Sequence, residues 1–595
     1  MKKTILSQEE RSLNSCSPVH QVIWNSARLA DFAAFDIAEN ELVNSTVGKT
    51  VAGLNANLAA GTAYDANGKI ATKSIDDMSA AGFWGLRCET RFGGSGANFP
   101  QYARAITSVA AAGFATEAGV LGMHSCIGLV HSLGHFGNEE QKAKYMPQLA
   151  SGKRLSGFAL TEPGAGTDVT NIKTTARRVG DEYLITGTKM FVGNLRPGQT
   201  LALVCKVEGE DKPAVFICET PDTYTAEFAE VPYNIFAVRQ FYNKGAKFTN
   251  FRIPAANRLV GNNIHYHGLN YGRLLVDANT AGVLRLLLRG ICGEKSWGEY
   301  RETYSQPIQT RSLVKRRVAR LAALTVGADA LRDWCATLLE EGYRGELECI
   351  IAKIFASNAQ AEAAINLALR THGGRSFIVG HQIGTNLADY LAPLIYEGEN
   401  EMLAMKFFAV LATEHGKGVL EPLGNGLKSL KKGKIVGGGM QFAAGLGRLG
   451  MFQVGRNVHA MTASQSVAGM DARLQRHVNF ALAQSAKLSL EISANMRKFG
   501  KKLAEDQQPL VVQMSMRAQN AMVMLVTAMH AHKSQDAATI AAADILCRDL
   551  TRDFTGEQPS ARYFADCNKL ADMVVSGQFK ELAGVPVTPV LHQYK

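Results

Sequence analysis

The order of sequence patterns predicts an α+β protein in which a β domain lies between two helical regions. Residues 1 to 156 are rich in Ala, Leu and Glu at helical spacing, whereas short β-branched and aromatic runs broken by Gly, Pro and Asp begin at residue 157. Long helical patterns resume at Leu313–Leu339, Glu346–Thr371 and Ala388–Thr413. Helices, then strands, then helices indicate segregated units rather than a doubly wound sheet.

The length of 595 residues is too great for a single hydrophobic core, and a hydrophobic content of 46% is enough to build several. We predict an N-terminal helical domain over 1–156 and a middle antiparallel β domain over 157–265. A C-terminal helical bundle over 266–415 and a helical extension over 416–595 follow. The extension begins with a segment rich in Gly and Lys at 420–455, which we interpret as a linker.

The distribution of cysteine and charge limits the class of protein. The ten cysteines include no Cys-x-x-Cys pair, which argues against a zinc ribbon or a secreted disulfide framework and favours a reducing cytosol. The first residues resemble neither a signal peptide nor a transit peptide, so we expect a cytoplasmic protein, soluble or peripheral at the inner face of a membrane. A net charge of +11 favours an acidic partner, either a phosphorylated ligand or an anionic lipid surface.

Nucleic acid is a less favoured partner. The basic residues are dispersed, and no nucleic-acid-binding module accompanies the one tight cluster, formed by Lys428, Lys431, Lys432 and Lys434. A metal site is also disfavoured, because His124, His131 and His135 lack a third carboxylate ligand and a metalloenzyme context.

A strand, a loop and a second strand form the most informative stretch. The apolar run Phe158–Thr161 ends at Pro163, Gly164 and Gly166, because proline lacks a hydrogen-bond donor and glycine permits positive φ. The loop brings Thr161, Thr167 and backbone N–H groups to a strand end, which suits the polar edge of a flat heterocycle or a phosphate. By spacing alone, an ordinary Gly/Pro hairpin between antiparallel strands is the favoured explanation of the pattern.

The motif Thr161-Glu-Pro-Gly-Ala-Gly-Thr-Asp168, followed by Gly187-Thr-Lys-Met-Phe191, resembles the flavin-binding signature of the acyl-CoA dehydrogenase family. The resemblance extends from about residue 80 to 410, and the helical extension is similar to that of the very-long-chain branch. It implies that the cofactor is FAD and that Thr167 also meets the substrate loop. Phe191 would cover the flavin ring. The residues that would contact FAD here are Phe158, Thr161, Gly166, Thr167 and Phe191.

The same resemblance identifies the catalytic base. Ile395-Tyr-Glu397-Gly-Glu-Asn-Glu401 is similar to the segment that carries the base, so Glu397 would remove the proton α to a thioester. A second base position of the family corresponds to Gly272, which has no side chain to accept a proton. Arg273 matches an arginine near the substrate, and Gly122 and Gly128 match small residues at the floor of the acyl pocket. Without the resemblance, close helix packing explains these two glycines equally well.

Further positions of the resemblance concern FAD and a second subunit. Arg301 matches an arginine that reaches the FAD diphosphate of a neighbouring subunit, and Gly373 and Gly374 match a turn that approaches FAD. The residues that depart from the family pattern are Gly193, Arg370, Glu399 and Ser305. Gly193 replaces a hydroxyl residue that meets flavin N5, Arg370 replaces a glutamine that meets FAD, and Glu399 replaces a threonine.

The resemblance implies an FAD-dependent dehydrogenase that converts a long-chain acyl-CoA to the trans-2-enoyl-CoA in β-oxidation. It also implies an electron-transfer flavoprotein or similar acceptor, and we expect a homodimer. One alternative is an acyl-carrier-protein thioester as substrate. A second is a catalytically silent scaffold or assembly relative, which the four departures favour and Glu397 disfavours. A third, an oxygen-using flavoenzyme, generally lacks a glutamate at this position.

The extension suggests one more interaction. The four clustered lysines precede the apolar residues of 435–452, so we predict weak contact of this segment with an anionic membrane, with a solvated linker as the alternative. The glycines argue against a continuous helix there. The methionine-rich run that begins at Gln513 is interpreted as core.

Overall fold

The computed structural model describes residues 11–26, 28–33, 36–432, 434–462 and 464–587. The chain divides into two compact units, each assembled from separate stretches of sequence. The helical unit comprises Met1–Phe35, Glu302–Ile354 and Asn400–Lys580, and the sheet unit comprises Asp36–Arg301, Phe355–Glu399 and Glu581–Lys595. The predicted order of helices, strands and helices is confirmed, while the domain boundaries proposed from the sequence remain predictions.

The N-terminal part is helical, as predicted. Its helices are α1 (Pro18–Trp24), α2 (Glu41–Ala59), α3 (Thr72–Ala80), α4 (Phe99–Ala111), α5 (Ala115–Gly122), α6 (Leu129–Phe136) and α7 (Glu139–Ala150). Capping boxes formed by Asn98 with Gln101 and by Asn138 with Gln141 begin α4 and α7, which satisfies N–H groups that lack partners within the helix. A π-helical segment, Met123–Ile127, joins α5 to α6.

The middle part forms a β domain. Its strands are β1 (Ser156–Ala159), β2 (Thr175–Val179), β3 (Glu182–Gly193), β4 (Thr200–Val207), β5 (Pro213–Glu219), β6 (Phe228–Val231) and β7 (Asn243–Pro254). The sheet order is β1-β4-β2-β3-β7-β6, with β5 paired to β4. The prediction of an antiparallel sheet is wrong for two pairings, because β4 runs parallel to both β1 and β2. Alternation of apolar residues has the same period in both directions, so it does not report strand direction.

Strand β4 is buried on both faces. Its residues Leu201, Leu203 and Cys205 belong to one hydrophobic cluster, and Ala202 and Val204 belong to a second cluster that includes residues of α6 and α7. A strand buried on both faces reads as a continuous apolar run rather than as an alternating one. This explains the unbroken run at 201–205.

The remaining helices follow the sheet. They are α8 (Ile264–Ile291), α9 (Trp297–Tyr300), α10 (Ser312–Glu340), α11 (Glu346–Glu362), α12 (Arg370–His372), α13 (Gln382–Thr385), α14 (Leu387–Leu391), α15 (Asn400–His415), α16 (Glu421–Lys431), α17 (Ile435–Thr462), α18 (Ala472–Phe499), α19 (Lys502–Asp506), α20 (Gln508–Ser534), α21 (Ala537–Thr555) and α22 (Ala561–Val575), with a two-stranded pair, β8 (Glu302–Thr303) and β9 (Gln306–Pro307), before α10. Further π-helical segments span Ala363–Leu369 and Gly416–Leu420.

The prediction of one helix over 388–413 is wrong. The helical pattern is interrupted before α15, where Glu397 has a φ of 59° and Gly398 has a φ of 103°. Left-handed backbone at two successive residues cannot continue a right-handed helix. The interruption separates Glu397 from the helix that follows it.

The segment 420–455, predicted as a Gly- and Lys-rich linker without a continuous helix, forms two helices, because α16 ends at Lys431 and α17 begins at Ile435. Helices α16 and α17 cross closely, and a Cβ at Gly426 would lie 2.4 Å from the backbone nitrogen of Phe442. A Cβ at Gly445 would lie 2.7 Å from the Cα of Leu423. The glycines therefore serve close approach of two helix backbones, and that benefit offsets their low helix propensity of about 1 kcal/mol each.

The helical unit also contains a buried arginine. Arg456 of α17 lies 4% exposed, and its guanidinium donates to the carbonyls of Val22 and Asn25 and to Ser489 Oγ. It thereby ties α17 to the C-terminal end of α1 and to α18. The methionine-rich run lies in α20, where Met514, Met522 and Met524 are fully buried, so its interpretation as core is confirmed.

None of the helices in the described part of the chain has the length and apolar character needed to cross a bilayer.

The α16–α17 crossing predicts opposite effects for two glycines of one helix. Gly445→Leu should force the helices apart, at a cost of about 1–3 kcal/mol, because its side chain would meet the backbone of Leu423. Gly447→Leu should be neutral or stabilising by up to about 1 kcal/mol, since nothing lies within 4 Å of a Cβ there. Thermal unfolding and limited proteolysis of residues 416–462 measure the difference. Equal proteolysis of both variants would contradict the crossing.

Candidate active site

The loop that follows β1 is held by a buried ion pair. Lys189 Nζ lies 2.8 Å from Glu162 Oε1, and the two side chains are 0% and 6% exposed. Lys189 also donates to the carbonyl of Leu160 at 2.9 Å. The lysine lies on β3 and the glutamate lies in the loop, so the pair joins the end of β1 to the strand that carries Phe191.

The same carboxylate closes the far end of the loop. Glu162 accepts hydrogen bonds from the backbone N–H groups of Lys173 and Thr174, at 2.6 and 2.9 Å. Burial alone would raise the pKa of the Glu162 carboxyl, but these donors and the Lys189 ammonium outweigh it, so the pKa lies below its usual value. Sequence reasoning singled out neither residue, although both stand inside the quoted motif.

The surface around this loop carries the predicted flavin contacts. Phe191 has a φ of 56°, donates its N–H to Tyr233 Oη at 2.7 Å and presents a ring that is 58% exposed. In the part of the chain that the structure describes, the hydroxyls of Thr161 and Thr167 have no hydrogen-bond partner. Nothing lies within 4 Å of a Cβ at Gly166. An exposed aromatic face beside open glycine and available hydroxyls suits a flat ring with polar edges.

Two predicted cofactor positions have little free space. Phe158 is half-buried and packs against the hydrophobic cluster beneath the sheet. A Cβ at Gly193 would lie 2.3 Å from Met123 Sδ and 2.4 Å from Phe241 Cζ. The methionine and the phenylalanine occupy the space that a threonine or serine side chain would need, so only the backbone of residue 193 is available for a ligand.

The candidate base lies against the second base position. A Cβ at Gly272 would lie 2.7 Å from Glu397 Oε2 and 2.4 Å from Ile127 Cγ2. The glycine on α8 therefore makes room for the Glu397 carboxylate. Burial raises the pKa of the Cys126 thiol to about 12, and the charge of Glu397 adds to the rise, which places that carboxylate near the π-helical segment.

Arg273 is next to this glycine and is 6% exposed. Its guanidinium donates to the carbonyl oxygen of Glu397 at 3.4 Å and to Asn270 Oδ1 at 3.0 Å. The arginine thus holds the backbone of the candidate base. The structure brings Glu397 to Gly272 and Arg273, from which it is far apart in sequence.

The predicted pocket-floor glycines lie on either side of the π-helical segment. A Cβ at Gly122 would lie 3.1 Å from Leu275 Cδ1, and one at Gly128 would lie 2.5 Å from Ser156 Oγ. Close packing therefore requires glycine at 128, and the role of both residues toward an acyl chain stays a prediction.

The histidines of this region have separate partners. His124 Nδ1 accepts from the Ser156 N–H at 2.9 Å, and His131 Nε2 lies 2.9 Å from His267 Nδ1. Within the described residues, no group of three or more His, Cys, Asp or Glu side chains is arranged to hold a metal ion.

The remaining predicted positions lie near the turn after α12. Trp297 Nε1 donates to the carbonyl of Thr371 at 3.0 Å, which fixes α9 and the exposed Arg301 beside that turn. Nothing lies within 4 Å of a Cβ at Gly373 or Gly374, although the φ of 66° at Gly373 itself favours glycine.

Three residues that depart from the family pattern are at the surface or close to it. Arg370 is exposed and makes no ion pair among the described residues, and Glu399 is half-buried. Ser305 is exposed and has a φ of 58°.

The sequence matches three family descriptions in order along the chain. They are "Acyl-CoA dehydrogenase, N-terminal domain" over 38–153, "Acyl-CoA dehydrogenase, middle domain" over 157–231 and "Acyl-CoA dehydrogenase, C-terminal domain" over 261–411. An acyl-CoA dehydrogenase of Bacillus subtilis (strain 168) is 30% identical over 337 residues, which cover 55% of this chain and 86% of that protein. The chain belongs to the acyl-CoA dehydrogenase family.

Two further comparisons show how far the similarity reaches along the chain. The very long-chain specific acyl-CoA dehydrogenase of Rattus norvegicus mitochondria is 26% identical over 375 residues, covering 61% of this chain but only 56% of that enzyme. A crystal structure of an acyl-CoA dehydrogenase complexed with FAD from Bacillus anthracis has a TM-score of 0.74 and 19% identity, and it covers 94% of this chain and 98% of its own. That similarity shows that the fold, including the extension, has a counterpart.

Family membership confirms the predicted fold class and the class of enzyme, an FAD-dependent oxidoreductase. The residues of this acyl-CoA dehydrogenase fit FAD in three respects: the exposed ring of Phe191, the open glycines and the exposed guanidinium groups of Arg301 and Arg370. Guanidinium groups suit a diphosphate. The individual site roles stay predictions.

We expect that removing one member of the buried Glu162–Lys189 ion pair destabilises the protein more than removing both. Lys189→Met should cost about 3–5 kcal/mol, because the Glu162 charge would stay buried without its partner. Combining it with Glu162→Gln should recover part of that loss. Lys173→Met, which leaves the backbone N–H to Glu162 intact and changes an exposed side chain, should cost no more than about 0.5 kcal/mol.

Thermal unfolding and hydrogen exchange of residues 160–174 measure these differences. Exchange in this loop should be fastest for Lys189→Met and unchanged for Lys173→Met. If the double variant were no more stable than Lys189→Met, the pair would not be coupled.

Proposed function

We propose that this protein is an FAD-dependent dehydrogenase that converts a long-chain acyl-CoA thioester to the trans-2-enoyl-CoA, with Glu397 as the base. One observation carries the proposal: the Glu397 carboxylate occupies the space that glycine leaves at the second base position of α8. A chain that kept the fold without the chemistry would have no need for a carboxylate in this cleared position.

The residues of the chain divide the work of proton removal. Glu397 accepts the proton from the carbon α to the thioester, and Arg273 holds its backbone through the 3.4 Å hydrogen bond. Ile127 and Cys126 give the carboxylate an apolar wall, and an acyl chain lying there excludes water from it. Bound FAD supplies the acceptor for the hydride that leaves the β carbon.

The choice of substrate rests on similarity to the very-long-chain relatives. A screen of acyl-CoA thioesters of increasing chain length with a dye acceptor tests it, and an acyl-carrier-protein thioester is the informative comparison. Maximal turnover with long-chain acyl-CoA is expected. Exclusive turnover of the carrier-protein thioester would transfer the proposal to that substrate, and the absence of turnover with any thioester would favour a silent scaffold.

Glu397→Gln should lower turnover by about 10²–10⁴-fold, because the amide keeps the size of the side chain but cannot accept the proton. FAD should remain bound. Gly272→Ala should also lower turnover, since its methyl group would lie 2.7 Å from Glu397 Oε2. Gly48→Ala adds a methyl on α2, where nothing lies within 4 Å, and it should leave turnover unchanged as a matched control. Wild-type turnover in Glu397→Gln would remove this residue from the mechanism.

We propose that the protein acts as a homodimer and passes electrons to an electron-transfer flavoprotein or a similar acceptor. Arg301 is exposed directly after α9, and in the proposed dimer its guanidinium would reach the FAD diphosphate of the second subunit. Arg301→Ala should weaken FAD retention, measured by flavin absorbance after gel filtration, with Arg311→Ala as a control because Arg311 is engaged by Thr303. Full retention of FAD by a demonstrated monomer would contradict this arrangement.

We also propose that α16 and α17 contact an anionic membrane surface. The packed face of α17 contains Gly438, Gly445, Leu449 and Arg456. The opposite face exposes apolar side chains at helical spacing, namely Val436, Met440, Met451, Val454, Val458 and Met461, which are 53–88% exposed. A long apolar stripe that faces solvent indicates an interaction surface.

The charge next to the apolar stripe indicates which kind of surface it contacts. The exposed cluster Lys428, Lys431, Lys432 and Lys434 lies at the end of α16 and the start of α17. Each lysine near an anionic leaflet contributes about 1 kcal/mol, which brings the stripe to the membrane reversibly. Such a location suits an enzyme whose substrates are insoluble acyl chains.

Sedimentation with vesicles tests this surface. The full-length protein should pellet with anionic vesicles at low salt, less at high salt and little with neutral phosphatidylcholine vesicles. Changing the four clustered lysines to glutamate should abolish pelleting. The control changes four exposed lysines elsewhere to glutamate, at Lys49, Lys153, Lys212 and Lys247.

Equal pelleting of the cluster variant and the control variant would contradict a specific membrane surface. Self-association that disappears in Met451→Asp/Val454→Asp would instead identify the stripe as a contact between copies of this chain.

A further inference from the structure

The helical unit contains a cleft that lies outside the predicted catalytic residues. It has a volume of about 420 Å³ and lies among α15, the π-helical segment Gly416–Leu420, α16, α18 and the start of α19. Small-molecule sites typically occupy about 300–1,000 Å³. Its apolar lining includes Phe408, Leu420, Met496, Leu503 and Ala504.

A glycine keeps one wall of this cleft open. Gly424 lies within α16 and is half-buried, yet nothing lies within 4 Å of a Cβ at this position. Neither a positive φ nor close backbone packing therefore calls for glycine here, in contrast to Gly426 of the same helix. Glycine in a helix costs about 1 kcal/mol relative to alanine. Glycine at this position leaves the cleft open, and we infer that this space offsets the lower helix propensity.

The charged residues of the cleft are mostly basic. Lys428 contributes to the lining from α16, and Lys501 contributes from the turn after α18. The lining also includes one carboxylate, that of Glu421. The same wall segments carry further exposed charges, the basic Arg497, Lys498 and Lys502 and the acidic Glu505 and Asp506. Apolar walls with lysines at the rim are complementary to an apolar chain that ends in an anionic group.

We propose that this cleft binds a single-chain anionic amphiphile, with its alkyl chain between Leu420 and Met496 and its carboxylate or phosphate at Lys428 and Lys501. Two sources share this chemistry: a free fatty acid, and a phosphate-headed lysolipid of a membrane. The site is independent of the proposed dehydrogenation, because none of its lining residues belongs to the set assigned to Glu397 or FAD.

Calorimetric titration of the full-length protein with monomeric decanoate and with lysophosphatidic acid tests the proposal. Gly424→Phe should weaken binding by at least about ten-fold, because its ring would extend into the cleft from a position where a Cβ meets no protein atom within 4 Å. Gly437→Phe is the matched control, since Gly437 is an exposed helical glycine that also has nothing within 4 Å of a Cβ. Binding to this control should equal that of the wild type.

The charge of the ligand is tested separately. Lys428→Gln/Lys501→Gln should weaken anion binding by about five-fold or more, while Lys434→Gln should not. Decyltrimethylammonium, which has the same chain and the opposite charge, should bind poorly. The tighter of the two anionic ligands identifies the source.

Three results would overturn the proposal: no saturable binding to the wild type, equal binding to Gly424→Phe and Gly437→Phe, or equal binding of the cationic amphiphile. Retained decanoate binding in Gly424→Phe would place the ligand elsewhere, including the acyl site. Turnover of acyl-CoA by Gly424→Phe is measured in parallel, so failure of this site is distinguishable from failure of the proposed function.

Discussion

The buried Glu162–Lys189 ion pair is the interaction on which the candidate site depends. It joins the end of β1, both ends of the loop over 162–174 and the strand that presents Phe191. A buried ion pair is stable only when the two charges contact each other and additional hydrogen bonds satisfy their remaining donors and acceptors. Glu162 and Lys189 meet both conditions. The ion pair therefore holds both ends of the loop in place, while the glycines and threonine hydroxyls between them stay accessible to a ligand.

Glycine has several distinct uses in this chain, and only the structure separates them. At Gly272 it clears space for a carboxylate from a distant segment, and at Gly193 it yields space to Met123 and Phe241. At Gly426 and Gly445 it lets two helices cross closely, whereas at Gly424 it leaves a cleft open. From composition alone, the segment that contains Gly424, Gly426 and Gly445 is interpreted as a linker, because glycine-rich segments are usually flexible. Whether a glycine makes the chain flexible or allows close packing depends on the atoms that surround it in the folded structure.

The extension and the sheet unit are suited to different parts of one task. The residues proposed for the chemistry and its cofactor, from Gly122 to Glu399 in sequence, all belong to the sheet unit. The basic cluster, the apolar stripe of α17 and the Gly424 cleft all belong to the helical unit. The proposed chemistry and the proposed contacts with a membrane and an amphiphile are thus assigned to different units, so changes in those contacts need not alter the base.

The sequence by itself determined the order of helices and strands, the family and the identity of Glu397 as a candidate base. These features are local: apolar periodicity, turn residues and a contiguous motif are all written within short windows of the chain. Tertiary structure alone decided the parallel pairing of β4, the left-handed backbone at Glu397 and the convergence of Gly272 with that carboxylate. It also decided the Glu162–Lys189 pair and the α16–α17 crossing. Each of these depends on residues brought together across long stretches of chain, and neither their distance nor their burial is encoded in any local pattern.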